Sequence, residues 1–423
     1  MSSNFKATIK LPQAVALYIG AVLGSGILII PGLAAEIAGP ASLMAWAGMM
    51  ILVLPLALSM GFLSQKYPSA GGVSHFVTKA FGDRMGAVIG WFFLMSVPIG
   101  APVASITGAG YFSSAFGLGQ RWTIIIAVAM LMLALIINFI GMDIAGSIQV
   151  AVVISIILVL VLAVIGSIPN IELKNFSPFM PKGIASVGKA SSILFWCFIG
   201  WEAVSHLSEE FVNPEKDVIR ATIISAIIVG ILYFMTALAT VGTNSYGAGS
   251  QAALVTIIGR IFGPAGKVVI GTISLLICTA TVIAYVGAAS RLAFSLSKNG
   301  EAPKFFGYVS KKYNTPLGGL IFLGLSFILV VTLYSLKIVS LTSLIQLPNA
   351  TFILTYLGGC AAGIVLLKDN KIKFTISLIS LIATVVIFVF AGWAILYPLI
   401  ISVAVIAGKL ISRKKVLTQE NTI

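Results

Sequence analysis

Two apolar stretches of this chain are interrupted in the middle. One contains Gly24-Ser25-Gly26-Ile27. The other contains Phe198-Ile199-Gly200-Trp201, followed at once by Glu202. A helix broken inside a bilayer leaves backbone N–H and C=O groups without intrahelical partners. Such a break is tolerated only where protein, water or a ligand satisfies them. Two breaks at matching places in two halves of a chain point to a binding site at the membrane midplane. The premise of a membrane comes from composition. The 423 residues are 59 % hydrophobic and 9 % charged, with mean hydropathy +1.10, whereas a soluble protein is about 25 % charged.

Apolar runs long enough to span a bilayer recur along the whole length. They predict an all-α integral membrane protein with about 12 transmembrane helices. The spans run over 11–38, 40–65, 86–116, 122–141, 144–167, 189–211, 219–243, 266–297, 317–335, 338–367, 372–391 and 393–411. The first is too long for a signal-peptide core and is expected to remain as a span. With both termini inside, nineteen of the 26 basic residues fall on the cytoplasmic side, which fixes the orientation by the positive-inside rule. The net charge of +14 therefore reads as topology and attraction to membrane lipid, not as nucleic-acid binding. Stretch 66–85 is amphipathic and is expected to lie along the inner surface.

One membrane transporter domain, 1–423, is expected. Five spans (11–167) precede a proline-containing outer loop, and five more (189–367) follow. Five is odd, so the second set enters from the opposite side. That is the arithmetic of a 5+5 inverted repeat, with broken helices 1 and 6 and two extra C-terminal helices over 372–411.

Gly24 and Gly26 carry no Cβ, so the backbone there is free to leave the helix and a ligand can approach. The outer half-helix is expected to run from Leu28 to Ala38, with Pro31 in its first turn, where a missing N–H costs nothing. Its N-terminus would direct partial positive charge at the membrane centre, a seat for a carboxylate. Gly20 and Gly24 also form GxxxG, a close-packing motif between membrane helices, so packing is the competing explanation. Glu202 lies about a dozen residues into its span, and an ionisable group at that depth marks a functional site. His206 falls one turn later on the same face. The pair serves proton coupling or gating, or else only fastens this span to its neighbours. Pro98 and Pro102 flank Gly100 in the third span and imply a kink. Asn349, after Pro348 in the tenth, either faces the cavity or hydrogen-bonds between helices. Cys197, Cys278 and Cys360 lie in apolar runs and read as small buried hydrophobes. No metal motif, nucleophile–base cluster or phosphate loop is present, so neither a cofactor nor catalysis is expected.

These residues resemble the amino acid–polyamine–organocation superfamily. Gly24-Ser25-Gly26-Ile27 with Pro31 is similar to its first-span signature. Pro68-Ser69-Ala70-Gly71-Gly72 and Ala80-Phe81-Gly82 are similar to its first inner loop. Phe195 to Glu202, then Asn213-Pro214, is similar to its sixth-span signature. Within it, Trp-Glu-Ala-Val-Ser-His-Leu (201–207) and Ser-Val-Pro-Ile-Gly-Ala-Pro (96–102) look most like bacterial exporters of methionine and branched-chain amino acids. The resemblance implies a multi-pass carrier in a bacterial plasma membrane. It moves a small amino acid by alternating access, driven by a proton or sodium gradient if at all coupled. The substrate carboxylate would meet N–H groups around Ser25, Gly26 and Ile27. Its ammonium would meet carbonyls around Phe198 and Ile199, with Gly200 at the break and Trp201 covering the site. With no charged residue lining these stretches except Glu202, a neutral substrate is expected. A proton-coupled importer or an exchanger of the same fold would use the same residues. Span five lacks the lysine that some proton-coupled relatives carry, leaving Glu202 as the group expected to make transport pH-dependent.

Overall fold

The computed structural model describes residues 10–67, 72–141, 146–201, 212–247 and 253–407. Within them the chain is helical throughout, with no strand. The first apolar stretch forms α1 (Leu11–Val22) and α2 (Gly26–Ala38), separated by the expected break. There follow α3 (Ser42–Lys66), α4 (Gly72–Phe81), α5 (Asp83–Ala115), α6 (Gln120–Ile140) and α7 (Gly146–Ser167). The sixth stretch begins as α8 (Ile184–Leu194), tightens to a 3-10 turn over Phe195–Phe198 and resumes as helix at Trp201. Then come α9 (Pro214–Gly242), α10 (Ala253–Lys298), α11 (Leu317–Ser335), α12 (Leu341–Leu366), α13 (Lys371–Val389) and α14 (Gly392–Ala407). Nine helical segments among the described residues are long and apolar enough to cross a membrane. The shorter ones include α1, α8 with its 3-10 turn, and α14. Among the described residues helix falls on each of the twelve predicted spans, with 202–211 of the sixth lying outside them.

Two boundaries differ from expectation in informative ways. First, α2 starts at Gly26, two residues earlier than predicted, which places Pro31 inside the helix and not in its first turn. Its missing N–H leaves the Ile27 carbonyl without the usual i+4 donor, close to the break. Second, the eighth span, expected over 266–297, is preceded by a short helical arm that was not expected. Arm and span together are α10, kinked at Gly263, whose φ of 63° and ψ of −153° are accessible to glycine, with Pro264 next in sequence. The kink divides a short first arm (253–262) from the membrane-crossing second arm (264–298).

The heaviest packing joins α5 to α10. Small residues permit it. A methyl group on Gly108 of α5 would sit 2.6 Å from Cys278 Cβ, and one on Gly271 of α10 would sit 2.5 Å from Ala115 Cβ. Close backbone approach of this kind is how helices associate where lipid offers no hydrophobic drive. The two faces of the bundle are tied differently. On one, Lys66 at the end of α3 donates to Leu366 O (2.8 Å) and pairs with Asp369 (3.3 Å), while Lys373 donates to Gln65 (3.1 Å). Amphipathic α4 lies at this basic face, where burial and Lys79 hold the His75 imidazole below its ordinary pKa. On the other face, the 168–183 loop crosses the helix ends. Its Asn175 donates to Gly242 O (2.6 Å), and Lys182 donates to Glu36 O.

Replacing Gly108 with valine should therefore separate α5 from α10 and cost about 1–3 kcal/mol, the usual penalty of overpacking. Gly48 in α3 has nothing near its missing side chain, and Gly48→Ala should leave stability unchanged or slightly raised. Thermal unfolding of the detergent-solubilised protein measures both.

Candidate binding site

At the first break, α1 closes with Leu23 N–H on Ile19 O (2.7 Å) and Gly24 N–H on Val22 O (2.8 Å). Ser25 then starts the turn into α2, so the leading N–H groups of α2 have no carbonyl behind them in their own helix. At the second break, Ile199 is extended (φ −77°, ψ 143°) and Gly200 has φ 127°. No L side chain is comfortable at that φ.

The two breaks touch. A methyl group on Gly200 would lie 2.8 Å from the Ala21 carbonyl carbon and 3.1 Å from Val22 N. One on Gly26 would lie 3.1 Å from both Cα and Sγ of Cys197, and 3.2 Å from Trp196 Cδ1. Backbone therefore faces backbone on both sides of the crossing, which accounts for glycine at each contact point.

Beside the crossing lies a cavity of about 50 Å³, room for about four waters. It is walled by Ala21, Val22, Gly24, Ser25 and Gly26 from the first break and by Trp196 and Ile199 from the second. Ser96, Val97, Gly100, Ala101 and Ala104 of α5, Thr281, Val282 and Tyr285 of α10, and Phe352 of α12 complete it. Among the described residues no acidic or basic side chain belongs to this lining. The Ser96 and Thr281 hydroxyls donate to their own helices, at Phe93 O (2.7 Å) and Ile277 O (3.0 Å). Trp196 reaches across the wall to Gly100, where a methyl group would lie 3.2 Å from its Cη2. Trp196 also meets Phe352 edge-on, with ring centroids 6.4 Å apart. The surface is thus an apolar slot with polar backbone at one end.

Of the residues singled out from sequence, Gly24, Ser25, Gly26, Ile199 and Gly100 line the cavity. Ile27 is buried in the surrounding core. Phe198 packs edge-on against Trp46 and Tyr233, at 6.2 and 5.3 Å. Gly200 is spent on the contact with α1. Trp201 leans on Tyr18 at 6.0 Å, and its buried indole N–H has no hydrogen-bond partner among the described residues. Asn349 is buried and donates to Ser192 O (2.6 Å), tying α12 to α8. Glu202 and His206 lie outside the described residues. Sequence reasoning did not single out Trp196, Tyr285, Phe352, or Val97, Ala101 and Ala104. The last three recur at helical spacing within the quoted third-span stretch and its continuation, and that spacing was the available signal. Among the described residues no group of three or more His, Cys, Asp or Glu is placed to hold a metal.

Gly200→Ala forces an unfavourable φ and a backbone collision together, a cost of about 1–3 kcal/mol at the crossing. The variant should lose most ligand binding. Unaltered affinity in a scintillation proximity assay would show that the crossing does not shape the site.

A family model for amino acid permeases matches residues 9–414. The chain is 37 % identical to an uncharacterized amino acid permease of Bacillus subtilis, YecA, over 405 residues, covering 96 % of each chain. It is 32 % identical to the L-methionine/branched-chain amino acid exporter YjeH of Escherichia coli over 428 residues, covering 100 % of this chain and 99 % of the relative. It is 27 % identical to the branched-chain amino acid permease BcaP of Bacillus subtilis, over 72 % of this chain and 70 % of the relative. The broken helices, the all-helical membrane fold and a match over nearly the full length lead to one conclusion: the chain belongs to the amino acid permease family of the amino acid–polyamine–organocation superfamily.

Proposed function

We propose that this protein carries neutral hydrophobic L-amino acids, namely methionine, leucine, isoleucine and valine, across the plasma membrane by alternating access, with efflux as its working direction. The observation that carries the reading is the cavity lining, apolar and without a charged side chain among the described residues, set against two broken helices. A guanidinium or a second carboxylate placed there would be desolvated without a partner, at a cost of several kcal/mol. A zwitterion fits. Its carboxylate is received by N–H groups at the start of α2, around Ser25, Gly26 and Ile27, where the helix dipole favours negative charge. Its ammonium is received by carbonyls of the second break near Phe198 and Ile199. Its side chain lies along Val97, Ala101 and Ala104 toward Val282 and Phe352.

The names of two relatives support the substrate class, since one is called a methionine and branched-chain exporter and the other a branched-chain permease. The basic face with α4 is assigned to the cytoplasm, together with both termini, and the face crossed by the 168–183 loop to the outside. Residues 11–167 and 189–367 form the two repeats, with 372–411 appended. Glu202 is assigned the proton, with His206 beside it.

Liposomes containing the purified protein and loaded with unlabelled methionine should accumulate labelled methionine or leucine by counterflow, and should not accumulate arginine or glutamate. Absence of exchange with every neutral amino acid, or exchange of arginine as fast as methionine, would overturn the reading.

A further inference from the structure

The helices sort into two groups by what they pack against. The broken first span goes with α3, α8 and α9, while α5 goes with α6, α11 and the second arm of α10. Contact between α2 and α5 is sparse by comparison. The cavity lies in this seam, with Ala21, Gly26 and Trp196 on one side and Val97, Ala104 and Val282 on the other.

Between the cavity and the face of the 168–183 loop, the seam is crossed by a hydrogen bond. Tyr111 of α5, fully buried, donates its hydroxyl proton to Leu28 O in the first turn of α2. The phenolic oxygen of Tyr111 lies beside the backbone of Leu254, at the start of the first arm of α10. Helix N-terminal N–H groups need such acceptors. One phenol thus joins α2, α5 and the cap formed by 253–262.

We infer that Tyr111 is a positioning residue, a latch that holds the seam shut on the loop side and so sets toward which face the cavity opens. Leu28 O keeps its helical acceptor role within α2 when the phenol is lost, so Tyr111→Phe leaves the ring packing in place and removes the tie. Tyr233 provides the matched comparison. It is equally buried and donates to Val22 O (2.9 Å) at the other rim of the same break, but it sits on α9 and ties α1 within one group. Its bond does not cross the seam.

The inference rests on the cavity being the carrier's substrate seat, yet its test needs no substrate, so it fails or holds independently of the counterflow result. In a chain with Cys197, Cys278 and Cys360 changed to alanine and Ala104→Cys as reporter, a membrane-impermeant methanethiosulfonate is applied from each face. Tyr111→Phe should speed labelling from the loop face by about fivefold, the shift expected from one lost buried hydrogen bond, and slow it from the basic face. Tyr233→Phe should not speed labelling from the loop face. Unchanged labelling in Tyr111→Phe, or equal acceleration by both variants, overturns the inference. Hydrogen–deuterium exchange on the native-cysteine chain provides a second reading. Exchange should rise in both 26–38 and 253–262 of Tyr111→Phe, and no rise in either segment overturns the inference as well.

Discussion

An unpaired peptide group in the middle of a membrane has no water to turn to, and that one fact organises this protein. Breaking a spanning helix exposes several such groups at once. The structure answers by bringing two breaks together, Gly200 against Ala21 and Gly26 against Cys197, at distances only glycine permits. Each break supplies what the other lacks: free N–H groups at the start of α2, and carbonyls at the end of the 3-10 turn 195–198. Gly24, Ser25, Gly26 and Ile199 of these breaks line the cavity. The proposed site for a molecule bearing both charges rests on this backbone, with side chains left to define shape.

The surrounding helices read as support for that crossing. Buried tyrosines on α5 and α9 donate to carbonyls at its two rims, Leu28 and Val22. The Asn349 amide ties α12 to the carbonyl of Ser192, about two turns before the second break. Tyr397 of α14 donates to Met95 O (2.7 Å), one residue before Ser96 of the cavity wall. Each bond is worth about 1 kcal/mol net. Their common property is that they end on backbone near an irregular segment, where a carbonyl has spare acceptor capacity.

The fold was largely legible because its signals are local. Apolar runs of spanning length marked the membrane-crossing helices, and glycines marked both breaks, Gly24 and Gly26 at the first and Gly200 at the second. The site was only half legible, for a geometric reason. A window around a break names the residues that leave the helix, but not the direction in which each side chain then points. Gly24, Ser25, Gly26 and Ile199 turn toward the cavity, whereas Ile27, Phe198 and Trp201 turn into the core. The opposite wall comes from α5, α10 and α12, whose small and aromatic residues look like ordinary packing until the tertiary arrangement sets them opposite the breaks. Pro31 shows the same limit. Its chemistry was readable, but its position in the helix depended on where α2 begins.

The central claim is that two backbone breaks together recognise a zwitterion while the side-chain slot remains uncharged. The most direct measurement is the affinity of the purified protein for methionine, methionine methyl ester and the desamino analogue at neutral pH, by isothermal titration. Each analogue removes one charge and leaves the other desolvated, so each should bind at least about tenfold more weakly than methionine. An ester or a desamino analogue that binds as tightly as methionine would contradict the account.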